Sequence, residues 1–344
     1  MQNKLATSIG VLGVVLCIAA GLQPSAQTDP ALNVVFIDVE GGQATLFVSP
    51  GGESMLVDAG YAGFSDRDAD RIAAEAKRAG VSRIDYMVVT HYHRDHVGGV
   101  PALAARIPIR TFVDHGASVE KGEQPDALFN AYLAFRQKSR HLRVRPGDRI
   151  PSAGMDVRVV ASDGELITKP MLAGGGANPL CKDFVRKDDD PTENARSVGI
   201  VVNYGGFRLI DLGDLTWNKE HGLVCPNNLI GPVDVYLTTH HGLSSSGPSV
   251  LVHALRPRVA IMNNGATKGG SPEAWRVVRS SPGIEDFWQL HYAVDAGSEH
   301  NAAAPFIANQ DETTAHAIRL TAYQDGRFVV TNDGNRRSKT YVRR

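Results

Sequence analysis

Residues 87–99 read MVVTHYHRDHVGG, and this stretch decides the interpretation of the whole chain. A short apolar run, typical of a buried strand, leads directly into His91, His93, Asp95 and His96, and a Gly-Gly pair follows. Imidazole nitrogen and carboxylate oxygen are good ligands for Zn²⁺ and related ions. A tight loop can aim the first two histidines one way and the last two side chains another. The spacing therefore predicts two adjacent metal positions with a bridging water, and a solvated polar loop is the alternative.

Polar residues also collect where other predicted strands end. Asp58, Asp214, His240 and His241 each follow a run of strand-forming residues. Asp58 can orient a metal-bound histidine or cap the turn at Gly60, and both roles are compatible. These positions extend the predicted site beyond the histidine run.

The histidine run resembles the signature of the metallo-β-lactamase superfamily, which is His-x-His-x-Asp-His at the end of an apolar strand. The resemblance extends over most of the chain and implies an α/β fold, a four-layer αββα sandwich with the metal site at one edge. It implies that Asp214 bridges two metals and that His240 or His241 supplies the last ligand of the second metal. The implied cofactor is Zn²⁺, as two ions, with Mn²⁺ or Fe²⁺ as alternatives.

Within the superfamily, the chain is most similar to the metal-binding domain of ComEC-type DNA-uptake proteins and to secreted phosphorylcholine esterases. The similarity is carried by Asn194-x-x-Ser197, the Gly213-Asp214 turn, and His240-His241-Gly242 followed by Ser244, Ser245 and Ser246. Two features depart from the uptake proteins. Residues 38–43 read DVEGGQ in place of Asp-Val-Gly-Gln-Gly-Asp, and residues 268–272 lack the histidine of a Gly-His-Pro turn. These departures weigh against DNA cleavage.

The third ligand of the first metal is an open question in the sequence. Many members of the superfamily supply a third histidine, and Asn194 occupies that place here. We therefore expect a first metal position that is weaker, loaded with a different ion, or empty. His115 is a rival ligand, although a hydrogen-bonded structural role is favoured. His291, another histidine at a strand end, either lines the pocket or is structural, and the second role is favoured.

The resemblance implies hydrolysis by a metal-activated water. Asp95 and Asp214 would hold the metals and accept the water's proton. Lys268 would bind an anionic substrate group, or be an exposed loop lysine, and Asn263 could also stabilise developing charge. The implied substrate is a phosphodiester or similar anionic ester. A lactone, β-lactam or thioester is the second hypothesis, and a non-catalytic exported binding or sensor protein is the third, because of Asn194.

Composition and the N-terminus bear on location and partners. The 344 residues carry a formal net charge of -1, which provides no basic field for nucleic acid. Residues 1–26 form a predicted signal peptide, with Lys4 before a mostly apolar stretch, and its cleavage would leave no stable membrane span. A retained membrane anchor is the alternative. Residues 27–344 are then one exported hydrolase domain, periplasmic or secreted, acting on a small-molecule anionic or ester substrate, and the oligomeric state stays open.

Several details of the fold can also be predicted from the sequence. Cys181 and Cys225 are a disulfide, two free thiols or metal ligands, and the sequence does not decide between these alternatives. The segment 162–193 is polar and glycine-rich, and it predicts a long irregular loop that is functional or mobile. The predicted elements include a first strand over 34–39, a helix with Ser65 as N-cap and Gly80 as stop, a helix over 125–139, a hairpin of 197–204 with 207–212, and closing strands over 315–321 and 328–331.

Overall fold

The computed structural model describes residues 1–2 and 29–343. The predicted signal peptide, apart from its first two residues, lies outside the described residues, so it stays a prediction. Among the residues described, we find no helix with the length and apolar character needed to cross a membrane.

The first half of the chain alternates strands with helices. In chain order its elements are β1 (Ala31–Phe36), β2 (Thr45–Val48), β3 (Ser54–Val57), α1 (Arg67–Arg78), β4 (Ile84–Val88), α2 (Arg94–Val97), α3 (Val100–Ala104), β5 (Ile109–Asp114), α4 (Glu123–Arg136) and β6 (Arg140–Arg143).

The second half repeats the alternation and then returns to the first sheet. Its elements are β7 (Arg149–Ile150), β8 (Asp156–Ser162), β9 (Glu165–Leu166), β10 (Gly176–Ala177), β11 (Gly199–Tyr204), β12 (Phe207–Asp211), α5 (Trp217–Val224), β13 (Asn227–Asn228), β14 (Val235–Leu237), α6 (Ser249–Leu255), β15 (Val259–Met262), α7 (Pro272–Arg279), β16 (Asp286–His291), β17 (Ile307–Asn309), β18 (Ile318–Tyr323), β19 (Phe328–Asn332) and β20 (Ser338–Tyr341).

Most of the strands form two large sheets. The first sheet has the order β20-β19-β18-β1-β2-β3-β4-β5-β6, and the second has the order β17-β16-β15-β14-β12-β11-β8-β7, with β9 beside β8. Strands β3 to β6 are parallel to one another, as are β12 and β14 to β17. Loops that leave the carboxyl ends of parallel strands are the usual place for a functional site in α/β proteins.

The packing gives four layers. The two sheets face each other across a core that includes Phe47, Val159 and Trp288. Helices α1, α3 and α4 cover the outer face of the first sheet, where Ile72 is buried. Helices α5, α6 and α7 cover the outer face of the second sheet, where Leu251 is buried. The predicted αββα sandwich is therefore confirmed.

The boundaries of several predicted elements need correction. The first strand ends at Phe36 and does not reach residue 39, because the chain turns there and Glu40 adopts φ 55°. Helix α1 begins at Arg67, so its N-cap is Asp66 and not Ser65, and both residues are left-handed, with φ 60° and φ 53°. The helix expected over 125–139 runs from Glu123 to Arg136.

The segment 162–193 is less irregular than its composition suggests. Cys181 and Cys225 form a disulfide, so the predicted bond is present in the structure. The ring of Phe184 stacks on His221 with centroids 4.0 Å apart, and the Lys187 ammonium lies 3.5 Å above the Trp217 ring. β10 pairs with β13 near the same place. These contacts attach the segment to α5, on the second sheet's side of the molecule.

Candidate metal centre

Four side chains from three loops form a compact set of possible metal ligands. Asp95, His96, Asp214 and His241 are buried, and one ligand atom of each lies within 4.8 Å of the others. The His96 Nε2 atom is 3.2 Å from His241 Nε2 and 3.4 Å from Asp95 Oδ2. Ligands about 2.1 Å from a tetrahedral zinc ion lie about 3.4 Å from one another. The four residues therefore fit one divalent ion, and we call the place that this ion would occupy the second position.

A neighbouring set of donors lies on the other side of Asp214. The Nε2 atom of His91 is 3.8 Å from Asp214 Oδ2, is buried, and has no hydrogen-bond partner. The Thr90 hydroxyl lies 3.0 Å from the opposite ring nitrogen of His91. The His93 ring lies edge-on to His91 with centroids 4.7 Å apart. An orphaned buried imidazole nitrogen beside a carboxylate fits a second cation, and we name this the first position.

Close backbone packing shapes the loop that carries the histidines. The hypothetical Cβ of a residue in place of Gly99 would lie 2.0 Å from the Ala59 carbonyl oxygen. The Ala59 amide donates to the His96 carbonyl at 2.8 Å. The glycine pair after the run is therefore required by the approach of the loop that follows β3, and that approach brings Asp58 beside the histidines.

Carboxylates behind two histidines fix the orientation of their rings. Asp58 Oδ2 lies 2.7 Å from His96 Nδ1, and its Oδ1 accepts from the Thr90 amide at 2.8 Å. Glu120 Oε1 lies 2.9 Å from His93 Nε2. A carboxylate on one ring nitrogen leaves the other nitrogen to face a metal. Asp58 therefore has the orienting role considered from the sequence, and Glu120 has the same role for His93.

His115 belongs to a structural network and not to either set of ligands. Its Nε2 atom lies 2.9 Å from Glu193 Oε2, and its ring packs on Tyr92 with centroids 4.6 Å apart. Glu193 also accepts hydrogen bonds from the Tyr92 and Val119 amides. This agrees with the structural role favoured from the sequence. His291 is likewise buried and paired with Asp38 at 2.7 Å.

Asn194 lies in a 3-10 turn, Glu193–Arg196, between two residues that contact the histidine loop. Ser197 Oγ lies 3.4 Å from His91 Nδ1 and accepts from the Asp214 amide at 3.2 Å. The Asn194 side-chain oxygen is buried and has no hydrogen-bond partner. Its predicted role as a metal ligand stays a prediction.

The tandem histidines point to different atoms of Asp214. Both adopt left-handed backbone conformations, with φ 55° at His240 and φ 54° at His241. His241 Nε2 lies 3.3 Å from Asp95 Oδ2 and 3.4 Å from Asp214 Oδ1. His240 Nε2 lies 3.3 Å from Asp214 Oδ2, and the Ser245 hydroxyl lies 3.0 Å from its Nδ1. The geometry thus places His241, and not His240, in the second position.

Lys268 is not a simple exposed loop lysine. Its ammonium group contacts the Asp95 carboxylate and lies 5.3 Å from the centroid of the Tyr61 ring. About a third of its side chain, 32%, is exposed, so it stands between the buried ligands and solvent. Asn263 is buried nearby in the chain, and its amide donates to Gln43 at 3.3 Å. Lys268 is partly exposed and could contact a substrate, whereas Asn263 is buried.

The charge state of the centre favours cation binding. Burial alone would raise the pKa of Asp95 and of Asp214, but the surrounding histidines, led by His96, hold both pKa values well below the usual range. Burial lowers the pKa of His91 well below its ordinary value, so this imidazole is neutral. Burial also opposes the charge on His96, yet Asp214 and its fellow carboxylates raise that pKa well above normal. The ionised carboxylates of Asp95 and Asp214 therefore attract positive charge to the centre.

Sequence reasoning did not assign a role to three residues that organise the site, although Ser245 was named as part of the resemblance. Glu120, Glu193 and Ser245 each hold or support a residue of the histidine loops. A metal-bound histidine commonly has a partner on its other nitrogen, so the existence of such residues was foreseeable. Their identity was not, because Glu120 lies 27 residues from His93 and only the fold brings them together.

Comparison with known proteins agrees with this geometry. Residues 37–179 match a family model described as the metallo-beta-lactamase superfamily. A hydroxyacylglutathione hydrolase of Acidiphilium cryptum (strain JF-5) is 31% identical over 137 residues, which are 40% of this chain and 46% of that protein. The match thus spans less than half the length of this curated relative.

Two further proteins match over more of the chain. A UPF0173 metal-dependent hydrolase of Cupriavidus taiwanensis is 25% identical over 273 residues, covering 75% of this chain and 85% of that protein. Among solved structures, the metallo-beta-lactamase fold protein YhfI of Bacillus subtilis is similar with a TM-score of 0.47 and 11% identity, covering 76% of this chain and 96% of that one. The matched residues 37–179 contain the histidine run, whereas Asp214 and His241 lie beyond them.

Proposed function

We propose that this chain is an exported metal-dependent hydrolase of the metallo-beta-lactamase superfamily, whose family model matches residues 37–179, and that it cleaves a phosphodiester or a similar anionic ester. The observation that carries the proposal is the position of Asp214 among four histidines. Its Oδ1 atom lies 3.4 Å from His241 Nε2, and its Oδ2 atom lies 3.2 Å from His96 Nε2, 3.3 Å from His240 Nε2 and 3.8 Å from His91 Nε2. Bound divalent metals at such a site supply a water of lowered pKa and polarise the scissile bond. Zn²⁺ suits the imidazole and carboxylate ligands, and Mn²⁺ or Fe²⁺ are the alternatives.

The chain's own residues provide the rest of the chemistry. Asp95 and Asp214 are ionised, so either carboxylate could accept a hydrogen bond from the nucleophilic water and orient it, and their low pKa values mean that the proton would pass on to solvent. The Lys268 ammonium, at the boundary with solvent, can bind a negatively charged oxygen of the substrate and stabilise the charge that develops during bond cleavage. The buried ligand residues exclude bulk water from the centre, which strengthens these interactions. An anionic ester is therefore the substrate class that suits this site.

A thioester is the second candidate substrate. The curated relative that is 31% identical over 137 residues is named a hydroxyacylglutathione hydrolase. That name denotes cleavage of an acylated glutathione, and the same residues could act on a carbonyl in place of a phosphoryl group. The two candidates differ in the leaving group and in the need for an anion-binding lysine.

Hydrolysis of a substrate panel tests the proposal. The panel is bis-p-nitrophenyl phosphate, a hydroxyacylglutathione, a lactone and nitrocefin, with protein that is chelated and then reloaded with Zn²⁺, Mn²⁺ or Fe²⁺. We expect metal-dependent turnover of the phosphodiester that is lost in Asp214→Asn. Metal-dependent turnover of the thioester alone would move the chemistry to acyl transfer. A protein that binds no metal and hydrolyses nothing would support the non-catalytic sensor hypothesis instead.

The role of Lys268 has its own control. Lys268→Met should lower kcat/KM for the anionic ester by about tenfold or more, because a hydrogen bond to a charged group contributes about 1.5–3 kcal/mol. The matched control is Lys169→Met, since Lys169 is exposed and is not part of the ligand sets. Equal activity of the two variants would remove Lys268 from substrate binding while leaving the metal centre in place.

Export is the part of the proposal that concerns location. The disulfide between Cys181 and Cys225 supports it, because such bonds persist mainly in oxidising compartments. Expression of the whole chain in a Gram-negative host, followed by cell fractionation and N-terminal sequencing, tests it. We expect a mature periplasmic protein that begins near Gln27. An uncleaved cytoplasmic product would refute export without affecting the proposed chemistry.

A further inference from the structure

We infer that the tandem histidines serve two different metals: His241 binds at the second position, and His240 provides the first position with the imidazole that the chain lacks at Asn194. The inference rests only on the metal-binding part of the proposed function and not on the identity of the substrate. It assigns a ligand role to each of two adjacent residues whose side chains ordinarily could not both face one carboxylate.

The backbone explains how adjacent residues reach both sides of Asp214. In an extended strand, neighbouring side chains point to opposite faces, so only one of the two could enter the site. Here the chain leaves β14 in a 3-10 turn, Thr239–Gly242, in which both histidines are left-handed. Left-handed conformations cost free energy for residues other than glycine, and such strain is found mainly where function requires it. The turn sends the His241 ring to Asp214 Oδ1 and the His240 ring to Asp214 Oδ2.

The distance between His240 and Asp214 matches the separation of two ligands of one ion. His240 Nε2 lies 3.3 Å from Asp214 Oδ2, which is close to the separation of about 3.4 Å between ligands of a tetrahedral zinc ion. His91 Nε2 approaches the same carboxylate oxygen, at 3.8 Å, and has no other partner. The oxygen therefore has an imidazole nitrogen from each half of the chain beside it.

His240 is also oriented as metal-bound histidines are. The Ser245 hydroxyl lies 3.0 Å from its Nδ1, and the Ser246 hydroxyl lies 3.4 Å from the same atom. A partner on one ring nitrogen fixes the ring and leaves the other nitrogen for the metal. The side chain is 14% exposed, so it stands at the open side of the centre, where the first metal would meet a substrate.

Asn194 is the competing ligand for this place. Its side-chain oxygen is buried without a hydrogen-bond partner, which a metal could satisfy. An amide oxygen, however, is a weaker ligand for zinc than an imidazole nitrogen, because zinc prefers nitrogen and sulfur. His240 Nε2 lies 3.3 Å from Asp214 Oδ2, and we therefore favour His240 as the ligand.

Metal binding to single and double variants tests the inference. Zn²⁺ is titrated into chelated protein against a competing chelating dye, and the bound metal is counted by mass spectrometry. His240→Gly is the main variant, because glycine accepts the left-handed backbone and preserves the turn. We expect wild-type protein to bind two ions, and His240→Gly to bind one tightly and the other more than about 100-fold more weakly, since loss of even an outer partner costs about 10–100-fold.

A second pair of variants identifies which position is affected. Asp95→Ala removes the second position and should retain one ion, so Asp95→Ala combined with His240→Gly should retain none. A double variant that still retains one ion would overturn the inference, because it would place His240 with Asp95 at the second position. Thermal unfolding of each chelated protein confirms that the variants are folded, and His316→Ala is the control for loss of an unrelated histidine.

Moving the imidazole from residue 240 to residue 194 distinguishes the two candidate ligands most clearly. Asn194→His should restore the lost affinity of His240→Gly, because it returns a histidine to the place where many members of the superfamily have one. Two tightly bound ions in His240→Gly, or loss of the first ion in Asn194→Ala alone, would overturn the inference in favour of Asn194. Absence of any metal in the wild-type protein would instead refute the proposed function, so the two failures are distinguishable.

Discussion

Glu220 leads to a quantitative prediction about the stability of the protein. It lies on α5, is fully buried, and its Oε2 atom accepts a hydrogen bond from the Gly247 amide at 2.6 Å. Its Oε1 atom has no hydrogen-bond partner. Burial raises the pKa of this carboxyl from 4.5 to about 8, although a hydrogen bond from Thr239 opposes the shift. The folded protein therefore keeps a proton on Glu220 at neutral pH.

The sign of the effect follows from proton binding. Between the unfolded pKa of 4.5 and the folded pKa of about 8, the native state holds a proton that the unfolded state releases, so the free energy of unfolding falls as pH rises. The contribution of Glu220 to the free energy of unfolding is fully present at pH values below its unfolded pKa, and it is completely lost at pH values above its folded pKa. At 1.36 kcal/mol per pKa unit, the total is about 5 kcal/mol, of which about 4 kcal/mol falls between pH 5 and pH 9.

Glu220→Gln should remove this dependence, because the amide has the same shape and no charge to bury. We expect the variant to match the wild type near pH 5 and to be more stable by about 4 kcal/mol at pH 9. Urea unfolding of chelated protein at several pH values measures the difference without a contribution from metal binding. Glu312→Gln is the control, since Glu312 is exposed. Parallel stability curves for wild type and Glu220→Gln would refute the assignment of a protonated Glu220.

Three further changes have expected outcomes that test the centre and its support. Asp58→Asn removes the carboxylate behind His96 and should weaken Zn²⁺ binding by about 10–100-fold in a dye-competition titration, and an unchanged affinity would assign Asp58 to the turn alone. Glu120→Gln removes the charge behind His93 and should also weaken Zn²⁺ binding by about 10–100-fold. The same titration of the wild type and of the variant measures the difference, and equal affinities would show that Glu120 does not support a metal ligand. Cys181→Ser opens a disulfide that spans 44 residues, which should lower the free energy of unfolding by about 4 kcal/mol in urea, and a loss below 1 kcal/mol, on the order of a surface substitution, would contradict a constraining role.

The sequence predicted those parts of the molecule whose signals are local. The histidine run, its apolar strand and the glycine pair are consecutive, so the loop and its ligand types could be read directly. The hairpin of β11 and β12 was also predicted, because Gly205 and Gly206 separate two strand-forming runs. Periodicity and turn residues act over a few residues, which is why these elements were accessible.

Other features depend on contacts that no local pattern records. The strand β20 was not predicted, because Ser338–Tyr341 is short and mostly exposed, and it is fixed by pairing with β19. The choice between His240 and His241 depends on two left-handed backbone angles, which histidine rarely adopts. Glu120 could not be identified because its partner is distant in sequence. Tertiary packing decided each of these outcomes.

The centre joins the two halves of the chain. His91 to His96 follow a strand of the first sheet, whereas Asp214 and His241 follow strands of the second. An ion that binds only the assembled centre adds its binding free energy to the docking of the sheets, about 4 kcal/mol at a thousandfold excess over Kd. The ion would then stabilise the association of the two sheets in addition to taking part in catalysis. Two fragments divided after residue 143 would be joined both by the centre and by the pairing of β18 with β1, and they should reassociate more tightly in the presence of Zn²⁺ than after chelation.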